Sequence, residues 1–256
     1  MSPALSACLI ARDEEDRLPR CLDALAWVDE IVVVVDARSR DATERIARER
    51  ADRVELRPYS GDVDQKRHCV SLARHDWVLV IDPDEVISAA LAAQLKDALS
   101  RPGASAGFEL NRITWHLGRW LRHGDFHPDW KLRLFRRSCA RFEGRDPHGR
   151  VVVDGPVQRL RAELEHYSYR DLADQLARIQ HFSAEAARAL HEEGRRVGLD
   201  DLLLRPPARF LRAYLLRRGF LDRLPGLLVA VLTAIYVFLK YAKLWELQHL
   251  QRHTTD

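Results

Sequence analysis

The 256-residue chain has no paired cysteines. Its four, Cys8, Cys21, Cys69 and Cys139, are scattered without C-x-x-C spacing. That pattern argues against a zinc site or a disulfide framework and fits a reducing compartment. Strong net charge is also missing. At a formal +3, gross electrostatics do not demand nucleic acid as a partner. The N-terminus lacks a basic stretch followed by a long apolar one, so it does not read as a signal peptide. No internal repeat is evident. The tail run 227–239 has thirteen residues without a charge, short of the roughly 20 that span a bilayer comfortably.

What is present is an ordinary globular composition, 46% apolar and 31% charged. Apolar runs at 5–10, 31–35, 54–56 and 77–81 alternate with helical patterns. Near-continuous runs of this length suit parallel strands buried on both faces. Between them, Pro19 suits a helix first turn carrying Leu22 and Leu25. Asp41 and Glu44 resemble a capping box for a helix through Arg50. Further helices are predicted over 65–73 and 88–99, with Ser88 as N-cap. Repeated β-α units predict an α/β fold, a doubly wound and mostly parallel sheet. After residue 103 the pattern changes. Strands are predicted at 107–112, 131–135, 151–153 and 163–169, with a His-, Trp- and Gly-rich loop at 118–130. A long amphipathic helix follows over 171–193, ended by Gly194. This divides the chain into a catalytic domain, 1–170, and a helical region, 171–256.

The sharpest motif is Asp82-Pro83-Asp84-Glu85, directly after the fourth apolar run. Open α/β sheets bind ligands outside the carboxyl ends of their strands. Two Asp on a turn can converge on one hard cation, and Mg²⁺ or Mn²⁺ prefers oxygen donors shared with substrate phosphates. Alone, a D-x-D is weak. Arg12-Asp13-Glu14 follows the first strand and residues 36–41 the second, however, so three loops share one edge of the sheet.

The tail has its own character. Phe210, Leu211, Tyr214 and Leu215 recur at helical spacing among Arg205, Arg209, Arg212, Arg217 and Arg218. The apolar run follows, then Lys240, Tyr241, Lys243 and Trp245. A basic amphipathic segment, an apolar helix and an aromatic-lysine flank suit a bilayer interface. Docking on the protein's own core and oligomerisation are the alternatives.

Taken together, the motifs resemble the family 2 glycosyltransferases of the inverting GT-A type. The narrower likeness is to the branch that includes the lipopolysaccharide core β-1,4-glucosyltransferases. Relatives open with K-N-E-E, here Arg12-Asp13-Glu14-Glu15. They continue through a block matched by Trp27, Asp29, Glu30, Ile31, Val34, Val35, Asp36, Ser39, Asp41 and Thr43. A third block is carried by Gln65, Lys66, Asp76, Trp77, Leu79, Asp82, Asp84 and Glu85. The likeness runs on through residues 117–120, 123–124, 128–129 and 132–137, and into the tail at 217–220 and 236–241. Ala37-Arg38 stands where the family usually has Ser-Gly. Asp13 replaces an Asn, and Gly149 follows His148 where relatives often have Glu.

The resemblance implies a GT-A fold and transfer of a sugar, glucose by family, from a UDP-sugar with inversion. It implies Mg²⁺ or Mn²⁺ held by Asp84 and Asp82. Donor contacts would come from Ala11, Arg12, Glu14, Asp36, Ser39, Lys66, Asp82, Arg133 and Arg136. Asp129 is the candidate general base, with Asp125, Glu143 and His148 as rivals. Trp115, His116 and Trp120 are candidates for a sugar platform. The implied acceptor is a lipid-linked saccharide such as lipopolysaccharide inner core. The implied location is the cytoplasmic face of the bacterial inner membrane, peripheral or monotopic. A polyprenyl-phosphate glycosyltransferase is the nearest alternative, and an inactive nucleotide-sugar-binding scaffold is another.

Overall fold

The computed structural model describes residues 3–101, 103–144 and 149–250. They form two compact units, Met1–Arg112 with Asp129–His166, and Ile113–Pro128 with Tyr167–Asp256. His148 lies outside the described residues.

The first unit begins with four β-α units. These are β1 (Leu5–Ala11), α1 (Leu18–Asp23), β2 (Glu30–Asp36), α2 (Thr43–Arg50), β3 (Arg53–Arg57), α3 (Asp62–Leu72), β4 (Trp77–Val80), β5 (Glu85–Val86) and α4 (Ala89–Ser100). Next come β6 (Gly107–His116), whose end from Ile113 belongs to the second unit, and β7 (Arg119–Leu121), wholly in the second. β8 (Asp129–Arg136), β9 (Ala140–Glu143), β10 (Arg150–Val153) and β11 (Val157–His166) complete the first unit. The sheet order is β3-β2-β1-β4-β8-β6-β11-β5. β3, β2, β1 and β4 are mutually parallel, and β8 turns the sheet antiparallel against β4 and β6. A separate ribbon joins β9 and β10.

Burial explains the parallel half. Every residue of β2 is buried, because successive side chains point to opposite faces and both faces are covered. Val33 and Val35 pack with Leu18 and Leu22 of α1, Ile46 of α2 and Leu91 and Leu95 of α4. Val32 and Val34 pack with Cys69 and Val70 of α3 and Phe135 of β8. Cys8 and Cys69 are thus core residues of one face.

Local signals behave largely as expected. Ser88 accepts from the Leu91 amide at 3.2 Å. Gly194 adopts φ +73° after the long helix. Asp41 accepts from the Thr43 amide at 2.9 Å, but Glu44 does not complete a capping box and pairs with Arg48 at 2.8 Å instead. The last strand of the first unit runs over Val157–His166, earlier and longer than its apolar spacing suggested, because pairing in the sheet overrides the local pattern.

The connection from β4 to β5 decides where the site lies. Four residues lie between Val80 and Glu85, and the five Cα steps reach about 17 Å at full extension. In sheet order β4 and β5 stand four places apart, about 19 Å in a flat sheet. The acidic turn is shorter than a straight crossing, so the sheet curls round it.

The second unit holds β7 and the helices α5 (Leu172–Glu192), α6 (Leu199–Leu203), α7 (Arg205–Leu211) and α8 (Arg223–Leu250). A π-helical turn spans Arg212–Leu216. Ala187 of α5 packs with Tyr241 and Leu244 of α8. Lys243 donates to the Gln180 carbonyl at 2.6 Å and to Ser183 at 2.8 Å.

Replacing fully buried Leu79 by Ala leaves a cavity in the core shared with α1, α2 and α4, and should lower unfolding free energy by about 3 kcal/mol in urea titration.

Candidate active site

Two loops at the carboxyl ends of β1 and β2 interlock. Asp13, at φ +52°, turns the first loop so that its carboxylate accepts from the Arg40 amide at 2.8 Å. The Glu14 amide donates to Thr43 at 2.8 Å and the Glu15 amide to Asp41 at 2.9 Å. Glu15 returns the contact by accepting from the Ala42 amide at 2.9 Å. Ser39 bridges Asp13 and Asp41. Asp36, the last residue of β2, is almost fully buried. Arg38 grips both of its carboxylate oxygens, Nε donating to Oδ1 at 3.2 Å and Nη2 to Oδ2 at 2.9 Å, and Arg12 adds a contact at 3.7 Å. Burial pushes the Asp36 carboxyl up, but hydrogen bonds and charge from Arg38 outweigh it and hold it below the usual range.

Beside them a chain of alternating charges lines the turn after β4. Lys66 of α3 reaches Asp82 at 2.8 Å. Arg133 of β8 bridges Asp82, at 2.5 Å, and the fully buried Glu85. Arg112 of β6 reaches Glu85 at 3.2 Å and Asp129 at 2.5 Å, and Lys131 also holds Asp129 at 3.0 Å. Burial opposes the charges of Lys66, Asp82, Arg112, Asp129 and Arg133, yet the partners win. Asp82 sits well below the ordinary carboxylate range because Arg133 and Lys66 flank it. Asp129 is lowered by Arg112 and Lys131. Lys66 is raised chiefly by Asp82 and Arg112 by Glu85. Paired, hydrogen-bonded charges of this kind tolerate burial where single ones do not.

Asp84 belongs to a different pair. β11 runs antiparallel to β5, with His166 opposite Glu85. That register puts His166 Nε2 3.4 Å from Asp84 Oδ2. Burial raises the Asp84 carboxyl, and the His166 contact more than reverses it. Among the described residues no three acidic, His or Cys side chains converge as a cation cage. One carboxylate and one imidazole nonetheless fit Mg²⁺ or Mn²⁺, which normally completes its shell with water and substrate phosphate. Asp82, already held by two cations, suits that role less well than Asp84.

The structure therefore brings Arg12, Asp36, Ser39, Lys66, Asp82, Asp84 and Arg133 to one sheet edge, with Ala11 at the end of β1 and Glu14 in the first loop. Arg136 is not among them. It pairs in register with Trp77 at the other end of β4 and lies over that indole at 5.1 Å. Strand alternation puts Arg136 and Arg133 on opposite faces, and the antiparallel register separates them by level too. Glu143 lies in the β9–β10 ribbon, paired with Arg141 at 2.7 Å. In the second unit, Asp125 is held by Arg209 at 3.0 Å and Arg217 at 3.2 Å. His116 is buried against Gln175 at 2.7 Å, while Trp115 packs edge-on to Trp120 at 5.2 Å and is partly exposed. Glu85, Arg112 and His166 had no assigned role in the sequence. A run of short-range spacing cannot link His166 to Asp84, since only the β11–β5 register joins them.

A curled mixed sheet with flanking helices, whose parallel half ends in a D-x-D turn, defines a GT-A-type glycosyltransferase. The glycosyl transferase family 2 model matches residues 6–159, and the chain belongs to that family. It is 28% identical over 249 residues to the lipopolysaccharide core biosynthesis glycosyltransferase LpsC of Rhizobium meliloti, covering 94% of this chain and 92% of that one. An uncharacterized glycosyltransferase of Rickettsia typhi is 27% identical, covering 97% and 89%. Among solved structures, S. aureus TarS 1–349 in complex with UDP is 14% identical, with a TM-score of 0.46 over 95% of this chain and 90% of that one.

Asp82 and Asp129 have folded-state values below their unfolded ones. Their stabilisation is complete above about pH 4 and fades as pH falls through the lowered values. Asp82→Asn should cost about 3 kcal/mol at pH 7, by leaving buried Arg133 with Glu85 alone and Lys66 with Asp62 alone. It should also flatten the acid limb of stability, as urea unfolding between pH 3 and 7 would show.

Proposed function

We propose that the chain transfers a hexose, glucose by its resemblance, from a UDP-sugar to a lipid-linked saccharide of the lipopolysaccharide inner-core type, with inversion. The observation that carries this reading is the placement of Asp36, Asp82 and Asp84, at or just after the carboxyl ends of the parallel strands β2 and β4, along one sheet edge, with His166 beside Asp84. The Rhizobium relative, a lipopolysaccharide core biosynthesis glycosyltransferase, supports the acceptor class. A cytoplasmic donor and a membrane-borne acceptor would place the work at the inner membrane surface.

Asp84 and His166 would hold the cation, which when bound supplies Lewis-acid neutralisation of the departing diphosphate. Asp36 offers a buried carboxylate to the hydroxyls or amide of the nucleoside, and Arg12 and Arg38 set its orientation. Lys66 and Arg133 fix the Asp82 turn and keep cationic charge beside the diphosphate. Asp129 is ionised at neutral pH and can take the proton of an acceptor hydroxyl. The hydroxyl oxygen then bonds to the anomeric carbon as the bond to UDP breaks.

One observation favours a second reading. Arg112 and Lys131 lower the basicity of Asp129, whereas a useful base has a value nearer the working pH. An acceptor that is already a phosphate, as in polyprenyl-phosphate transfer, needs no base. Asp129→Asn separates the two: turnover within about twofold of the parent fits the phosphate acceptor, and a loss of about 10²-fold or more fits the hydroxyl acceptor.

UDP release should be measured from a donor panel with Mn²⁺, and with EDTA. Release should appear with UDP-glucose, vanish with chelator and fall about 10²-fold in Asp84→Ala and in His166→Ala. Turnover unaffected by EDTA would remove the metal from this reading. No turnover with any donor would leave a binding scaffold.

A further inference from the structure

The second unit is built inside out along 203–224. Three of its smaller residues face in: Pro206, Ala213 and Gly219 are buried. Gly219 is packed so closely that an added Cβ would lie 2.7 Å from the Ala213 carbonyl. Its large apolar residues face out. Leu203 and Leu204 are each 66% exposed, Leu216 is 79% exposed and Leu224 63%, with Leu215 and Phe220 also open. In the first unit, by contrast, the exposed large apolar side chains are Leu56, Tyr59 and Val157. An apolar surface of this extent marks a binding face rather than chance exposure.

Charge on the same stretch has one sign. Between residues 202 and 221 the chain has five Arg and no acid. The flanking acids are turned inward: Asp201 and Asp222 are about 1% exposed. Asp222 accepts from the amides of Arg122 at 2.9 Å and His123 at 2.8 Å, and Asp201 pairs with Arg195 and Arg205. Among the described residues, Arg212, Arg218 and Arg223 have no carboxylate partner. The stretch is thus pinned from within by buried carboxylates while presenting leucine and arginine outward.

We propose that residues 203–224 form the surface by which this protein seats on an anionic lipid bilayer, entering one leaflet without crossing it. This deepens the membrane location in the proposed function and does not depend on the transfer chemistry. Leucine and phenylalanine enter the acyl boundary while arginine meets lipid phosphate, the pattern of an interfacial anchor. The alternative of a second copy fits poorly. A two-fold interface sets the same patch against itself, so unpaired arginines would face arginines. A bilayer-crossing α8 fits poorly too. Gly219–His249 is long and apolar enough to cross by length and composition, but Tyr241 and Leu244 are buried on α5 and Lys243 is tied to it.

The test uses the full chain and flotation with phosphatidylcholine vesicles, with and without phosphatidylglycerol. The parent protein should float with the anionic vesicles, and less so as salt rises. Leu215→Glu with Leu216→Glu should lower vesicle partition about tenfold or more, and so should Arg212→Glu with Arg218→Glu on anionic vesicles. Ile235→Glu with Phe238→Glu, on the outer side of α8, should have the smaller effect. Far-UV circular dichroism and sedimentation confirm folded chains of unchanged mass. Parent-like partition of the Leu215/Leu216 variant overturns the proposal. So does loss of binding only in the α8 variant, or a parent dimer that the Leu215/Leu216 variant dissociates while still floating. UDP release from soluble donor is read separately, so failure here leaves the transferase reading standing.

Discussion

Glu85 is the hinge of this structure. It is fully buried yet holds Arg133 of β8 and Arg112 of β6. A lone carboxylate in that place would lose more solvation than the fold can replace. Two guanidiniums make the burial tolerable, and in return they bind the acidic turn to strands from the antiparallel half of the sheet. Asp82 and Asp129 extend the same chain of charges outward. The aim of the D-x-D turn follows from that one carboxylate having two arginine partners.

The network also separates two jobs that a D-x-D motif lets one treat as one. Asp82 is spent on Lys66 and Arg133, which keep the turn in shape. Asp84 faces an imidazole instead. The pair of acids is therefore unequal, one a brace and the other a ligand candidate. Asp36 is a third case, capped by Arg38 where relatives of this type usually have glycine. Its carboxylate is held in place by Arg38 and Arg12.

The second unit follows the opposite economy of polarity. Along 203–224 the bounding carboxylates, Asp201 and Asp222, go inside, where Asp222 fixes the Arg122–His123 backbone, and the leucines go outside. A water-soluble helix hides such residues. Here what hides in the interior are small residues and buried acids, and the arrangement makes sense only against a surface that accepts leucine and repays arginine.

The sequence by itself determined the parallel half and much of its chemistry. Runs such as Ile31–Val35 can be buried on both faces only as central strands, and Ser88, Pro19 and Gly194 act through their nearest neighbours, so local pattern suffices. The strand-end positions of Asp36, Asp82 and Asp84 follow directly. What tertiary structure alone decided is every relation across the antiparallel half. His166 meets Asp84, and Arg112 meets Glu85, through strand register over separations that no spacing rule spans. Arg136 is carried to the far end of β4 by the same register. The sequence likewise displayed the arginines and leucines of 203–224, but which of them face water depends on what packs beneath, and only the folded chain puts Ala213, Gly219 and Asp222 there.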